Sequence, residues 1–112
     1  MNEDIVLLLD IYGELLPKSQ QTALDLRFNS DLSLGEIAEE MGGISRQSVN
    51  DFIKKGKNRL CELEDVLGNA ARFREITEEL DEVSRVLEAA TGFPEKARIE
   101  AAVGRIRKAI NS

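Results

Sequence analysis

The run Leu32-Ser33-Leu34-Gly35-Glu36-Ile37-Ala38-Glu39-Glu40-Met41-Gly42-Gly43-Ile44-Ser45-Arg46-Gln47-Ser48-Val49 constrains this chain more than any other. Ser33 with Glu36 three residues on has the form of a capping box, in which each side chain satisfies one free N–H at a helix start. Leu34, Ile37, Ala38 and Met41 follow at helical spacing, which gives that helix one apolar face. Two glycines end it, because glycine adopts the left-handed backbone that terminates helices at little cost. Ser45 then offers a second N-cap, and a longer helix opens at Arg46. A short capped helix, a glycine turn and a second capped helix form a helix-turn-helix, the motif whose second helix enters a DNA major groove.

The rest of the chain narrows the choices by what it lacks. It has 112 residues, enough for one domain, or for one small domain with a helical appendage. Charged residues make up 32%, aromatics 4%, and there are two prolines, a balance that predicts an all-α fold. One cysteine, Cys61, precludes an internal disulfide and fits a reducing compartment. No run reaches the roughly 18 apolar residues of a membrane span, and no basic-then-apolar leader opens the chain. A cytoplasmic protein is expected, with no membrane partner. Without histidine, a second cysteine or a glycine-rich phosphate loop, the usual zinc, nucleophile and nucleotide constellations are missing. The expectation is a non-enzyme with no cofactor and no metal.

The net charge is −6, which opposes general binding to phosphate backbones. Its distribution is uneven. Residues 1–44 carry −7, residues 45–59 carry +4 and residues 60–112 carry −3. The one basic segment is thus the second helix of the motif. At about 100° per residue, that helix separates into two arcs. Val49, Phe52, Ile53, Gly56, Leu60 and Leu63 share one. Arg46, Gln47, Asn50, Asp51, Lys54, Lys57 and Asn58 share the other. The polar arc holds the side-chain types that read DNA: Arg for guanine, Gln and Asn for adenine, Lys for phosphates. Arg46, Gln47 and Asn50 are the candidate base readers and Lys54 and Lys57 the candidate phosphate contacts. Ser45 is the cap or a phosphate donor. Asp51, in the middle of the arc, would repel phosphates, and an ordinary solvated face would look much the same. Binding through this arc is expected to be modest and steeply salt-dependent.

Helices are predicted on both sides. Asn2 caps a first one over about 3–15, with Ile5, Leu8, Leu9, Tyr12, Leu15 and Leu16 as its apolar set. Pro17 suits the first turn of a second, running to about Phe28 with Ala23, Leu24, Leu26 and Phe28 inward. The motif's long helix continues to about Leu67, where Gly68-Asn69 marks a break. Beyond it, Phe73, Ile76, Leu80, Val83, Leu87 and Ala90 form a heptad seam over residues 70–90. Thr91-Gly92-Phe93-Pro94 turns the chain, and Pro94 opens a last helix with Ile99, Val103, Ile106 and Ile110 on one stripe. The predicted division is 1–67, a helix-turn-helix domain, and 68–112, a helical hairpin or extension. The second part either packs on the first or forms a homodimer interface through residues 70–110.

The run from Tyr12 to Gly68 resembles the YlxM family, small bacterial proteins associated with the signal recognition particle, whose helix-turn-helix is similar to region 4 of sigma factors. The resemblance rests on Leu16-Pro17-Lys18, on Asp31 to Glu40, on Ser45-Arg46-Gln47-Ser48-Val49 and on Asp51 with Ile53-Lys54-Lys55. The sequence departs from the family pattern in a turn one residue longer, Met41-Gly42-Gly43-Ile44, and in Gly56, a mid-helix glycine worth up to about 1 kcal/mol against alanine. The resemblance implies a regulatory or accessory role in the particle's targeting pathway. Partners would be DNA or the particle's RNA, and the particle's GTPase. Other readings are a sigma-like DNA-binding transcriptional regulator and a module that binds only protein. With few aromatics to stack on bases, and with A-form grooves too deep for a helix, DNA suits the polar arc better than RNA. The family's gene neighbourhood favours the particle's RNA instead.

Overall fold

The computed structural model describes residues 4–111, which fall into two compact units divided between Ala70 and Ala71. The first is built from α1 (Ile5–Tyr12), a 3-10 turn (Gly13–Leu15), α2 (Lys18–Phe28), α3 (Leu34–Glu40) and α4 (Arg46–Leu67). The protein is all-α, and among the described residues no helix is long and apolar enough to cross a membrane.

α1 differs from its prediction at both ends. Asp4 caps it, accepting from the Leu7 N–H at 3.2 Å, while Asn2 lies outside the described residues. The α-helix stops at Tyr12 and tightens into the 3-10 turn, closed by Leu16 N–H donating to the Gly13 carbonyl at 3.0 Å. Leu16 must be extended because Pro17 follows, so the helix cannot run through it. The tighter turn carries Leu15 out of the apolar set, leaving it 64% exposed, while Leu8, Leu9, Tyr12 and Leu16 are buried. Pro17 occupies the N-cap of α2 rather than its first turn. In α2, Ala23 and Leu24 are buried, with Leu26 and Phe28 half-buried beside them.

The two caps of the motif form as their residue types dictate. Ser33 and Glu36 make the reciprocal capping box at 3.0 and 3.2 Å. The Ser33 N–H bond holds the Glu36 carboxyl below its ordinary pKa, with the Ser33 hydroxyl adding to the effect. Gly42 and Gly43 both have positive φ, 92° and 83°, so the turn needs two glycines in succession. Ser45 caps α4, and Gly68 ends it in the left-handed conformation with φ 64°.

The core of this unit gathers Leu8, Leu9, Tyr12, Leu24, Ile37, Val49, Ile53 and Leu60. Gly56 is buried where α4 meets α2: a Cβ there would stand 2.6 Å from Leu24 Cδ1 and 3.4 Å from Gln20 Cβ. The mid-helix glycine is therefore required by close packing. Below it, the buried Glu64 carboxylate accepts from the Tyr12 hydroxyl at 2.8 Å and from the Ala70 N–H at 3.0 Å. The Tyr12 oxygen in turn accepts from the Asn69 N–H at 3.1 Å. This network ties α1 to the junction after α4.

The second unit contains α5, which runs Asn69–Ala89 and so starts two residues before it, and α6 (Lys96–Asn111). α6 opens two residues after Pro94, with Pro94 and Glu95 in the turn and Lys96 N–H donating to the Phe93 carbonyl at 3.1 Å. Arg107 of α6 reaches Asp81 at 2.9 Å and Ser84 at 3.1 Å, so the two helices run antiparallel.

Candidate nucleic-acid interface

The first half of α4 presents the polar arc to solvent. Arg46, Gln47, Asn50, Asp51 and Lys54 are exposed, whereas Val49, Ile53, Gly56 and Leu60 on the opposite arc are buried. Ser45, Gln47, Ser48, Asn50, Asp51 and Lys54 line one shallow concavity of about 430 Å³ at the start of the helix. Ser45 serves as the cap: its Oγ accepts from the Ser48 N–H at 3.0 Å and bonds the Ser48 hydroxyl at 2.9 Å.

Arg46 is seated by α3. Its guanidinium lies over Gly35, so close that a Cβ on residue 35 would approach Nε to 3.1 Å and an outer nitrogen to 3.2 Å. Glycine at position 35 thus leaves room for a cation between the two helices of the motif. Alanine there would push this flexible side chain aside while favouring α3 by up to about 1 kcal/mol in helix propensity. Gly35→Ala is expected to leave the melting temperature unchanged or raised, measured by calorimetry.

The five cations of residues 45–59 are not equivalent. Lys55 pairs with Asp51 at 3.1 Å one turn away, so the carboxylate in the middle of the arc carries its own counter-charge. Arg59 pairs with Glu62 at 3.3 Å. Lys57 is half-buried with its ammonium 5.6 Å from the centre of the Phe28 ring, a cation–π distance. Of these five, all among the described residues, Arg46 and Lys54 make no ion pair and no ring contact. Of the six candidate residues, five therefore cluster at the start of α4, and Lys57 stands apart on Phe28.

Sequence reasoning missed Gly35 and Phe28. Both partners lie on neighbouring helices, where periodicity within α4 carries no information. The glycine at the second position of a helix that otherwise caps well was the one available signal for the first.

A capped seven-residue helix, a two-glycine turn and a long helix with a solvent-facing polar start define a helix-turn-helix protein. The chain belongs to the UPF0122 family, whose model is described as "Putative helix-turn-helix protein, YlxM / p13 like" and matches residues 2–96. A UPF0122 protein of Acetivibrio thermocellus is 51% identical over 70 residues, 62% of this chain and 59% of that protein. Another from Desulforamulus reducens is 40% identical over 84 residues, 75% of this chain and 71% of that one. A third, from Thermoanaerobacter sp., is 37% identical over 91 residues, covering 79% and 77%. The family is described by its motif and not by a reaction.

Proposed function

We propose that this protein is a non-enzymatic regulator that docks the start of α4 in the major groove of duplex DNA. The observation that carries the reading is the exposed cluster of Ser45, Arg46, Gln47, Asn50 and Lys54, backed by a buried arc that fixes the helix. Gln47 and Asn50 are of the types that pair with adenine edges, and Arg46 with guanine. Lys54 is left for phosphate. Lys57 joins them only by leaving Phe28.

Two uncommitted cations would release few counterions. With Arg46 on a base edge and Lys54 alone on phosphate, the expected slope of log affinity against log salt is about −1. That is shallower than the steep dependence expected from sequence, and than the about −4.5 of all five cations of residues 45–59 on phosphates. Arg46→Ala is expected to cost about 1–3 kcal/mol and Lys54→Ala to flatten the salt slope by about 1. Anisotropy titrations with random duplex DNA, signal-recognition-particle RNA and the particle's GTPase, each at two salt concentrations, test this. Equal affinity of the wild type and the Arg46→Ala, Lys54→Ala double variant for duplex would overturn it. Tighter binding to the particle's RNA or GTPase than to duplex would favour the targeting-pathway role that the family resemblance implies.

A further inference from the structure

The heptad stripe of the second unit has two edges, and only one is used. On α5, Leu80 and Leu87 are 7% and 8% exposed, while Ile76 and Val83, also seven residues apart, are 39% and 40% exposed. On α6, Val103 is 9% exposed, while Ile99 and Ile106 are 38% and 44% exposed. Regular spacing on the exposed edge is what a further helix needs for knobs-into-holes packing. Two helices alone bury little apolar surface.

The charges beside the unused edges identify the missing helices. On α5, exposed Glu75 immediately precedes Ile76 and exposed Glu79 stands one turn beyond it, while Glu82, before Val83, is paired with Arg85 at 2.6 Å. On α6, exposed Arg98 and Arg105 immediately precede Ile99 and Ile106. Arg98, Ile99, Arg105 and Ile106 border one open groove of about 530 Å³, with Glu95 at its end as the one acidic lining residue. One edge is acidic and the other basic, at the same heptad position relative to the same kind of apolar residue. A two-fold pairing of identical hairpins sets each acidic edge against a basic edge twice over. Like edges meeting would be repelled.

We infer that the unused seam of α5 and α6 is an interface for a second copy of this chain, with α5 of each copy lying along α6 of the other to form a four-helix bundle. The inference is independent of what α4 binds. α6 begins where the family match ends, at residue 96, so half of this surface lies beyond the family model.

Sedimentation equilibrium on the full chain across micromolar concentrations is expected to give twice the 12.5 kDa of one chain. Two charge-swapped chains decide the register: Arg98→Glu with Arg105→Glu, and Glu75→Arg with Glu79→Arg. Each alters exposed residues, and circular dichroism is expected to stay that of the wild type. Each alone is expected to self-associate at least about tenfold more weakly than wild type. Mixed in equal amounts, the two are expected to recover the dimer, because both contacts are again between opposite charges. A monomer for the wild type, a mass above the dimer, swaps that leave self-association intact, or a mixture that fails to recover would each overturn the inference.

Discussion

Glu64→Ala is expected to destabilise the first unit by about 2–4 kcal/mol, read by chemical denaturation. The carboxylate accepts from the Tyr12 hydroxyl and from the Ala70 N–H, and both donors are inaccessible to solvent: Tyr12 is 2% exposed and Ala70 fully buried. Removing the acceptor leaves two buried donors, each worth about 1–3 kcal/mol when unmade. The cavity left by the lost side chain adds to this. Tyr12→Phe is expected to cost less, about 1–2 kcal/mol, because the ring still fills its place and Glu64 keeps the Ala70 bond, while the part-buried Asn69 N–H loses this acceptor. Combined with Glu64→Ala, Tyr12→Phe should cost less than it does alone, since its bond to Glu64 is already gone and the one from the Asn69 N–H remains to be lost. Residues in one hydrogen-bond network are non-additive, and the double variant measures the coupling. Costs that simply add would mean the two residues act separately.

Gly56→Ala is expected to destabilise by about 1–2 kcal/mol, the opposite of what a helix interior alone would predict. Alanine favours a helix by up to about 1 kcal/mol over glycine. Here its Cβ would stand 2.6 Å from Leu24 Cδ1, and Leu24 is fully buried, so the side chain has nowhere to retreat. Overpacking of this kind costs about 1–3 kcal/mol, which exceeds the propensity gain. For a unit of this size, each kcal/mol lowers the melting temperature by about 4–8 °C. Gly104 of α6 supplies the control: nothing lies within 4 Å of its would-be Cβ, so Gly104→Ala should stabilise or do nothing. Loss of stability in both variants would place the Gly56 effect in the helix itself rather than in its packing on α2.

These two sites mark the boundary of what was legible in the sequence. The caps at Ser33 and Ser45, the double-glycine turn and the break at Gly68 are decided within a few residues, and each forms as its residue types require. The buried arc of α4 is equally local, since a 3.6-residue period needs no partner to be seen. Gly56 was visible as an anomaly inside that arc, but its reason, Leu24, lies more than thirty residues away. Glu64 gave no sign. It stands five full turns beyond Arg46 at about 3.6 residues per turn, and so on the edge of the polar arc, where a carboxylate reads as solvated. Only the Tyr12 hydroxyl, reaching across from α1, makes a buried position tolerable for it.

The same division runs through the candidate interface. Which side of α4 faces solvent follows from periodicity. Which of its cations remain uncommitted does not. The pairing of Lys55 with Asp51 and the stacking of Lys57 on Phe28 reduce a five-cation segment to Arg46 and Lys54. A short positive focus on an otherwise acidic chain would limit binding away from a preferred site, since non-specific affinity comes from phosphate neutralisation.

The most direct test of groove docking through α4 is a nitrogen–proton correlation spectrum recorded while duplex DNA is added to the full chain. Binding through the start of α4 predicts that the amides of residues 45–54, together with Gly35 beneath the Arg46 guanidinium, shift progressively and saturably. The amides of residues 71–111 should stay in place. Shifts concentrated in α5 and α6, or no shift at DNA concentrations that saturate a known helix-turn-helix control, would contradict it.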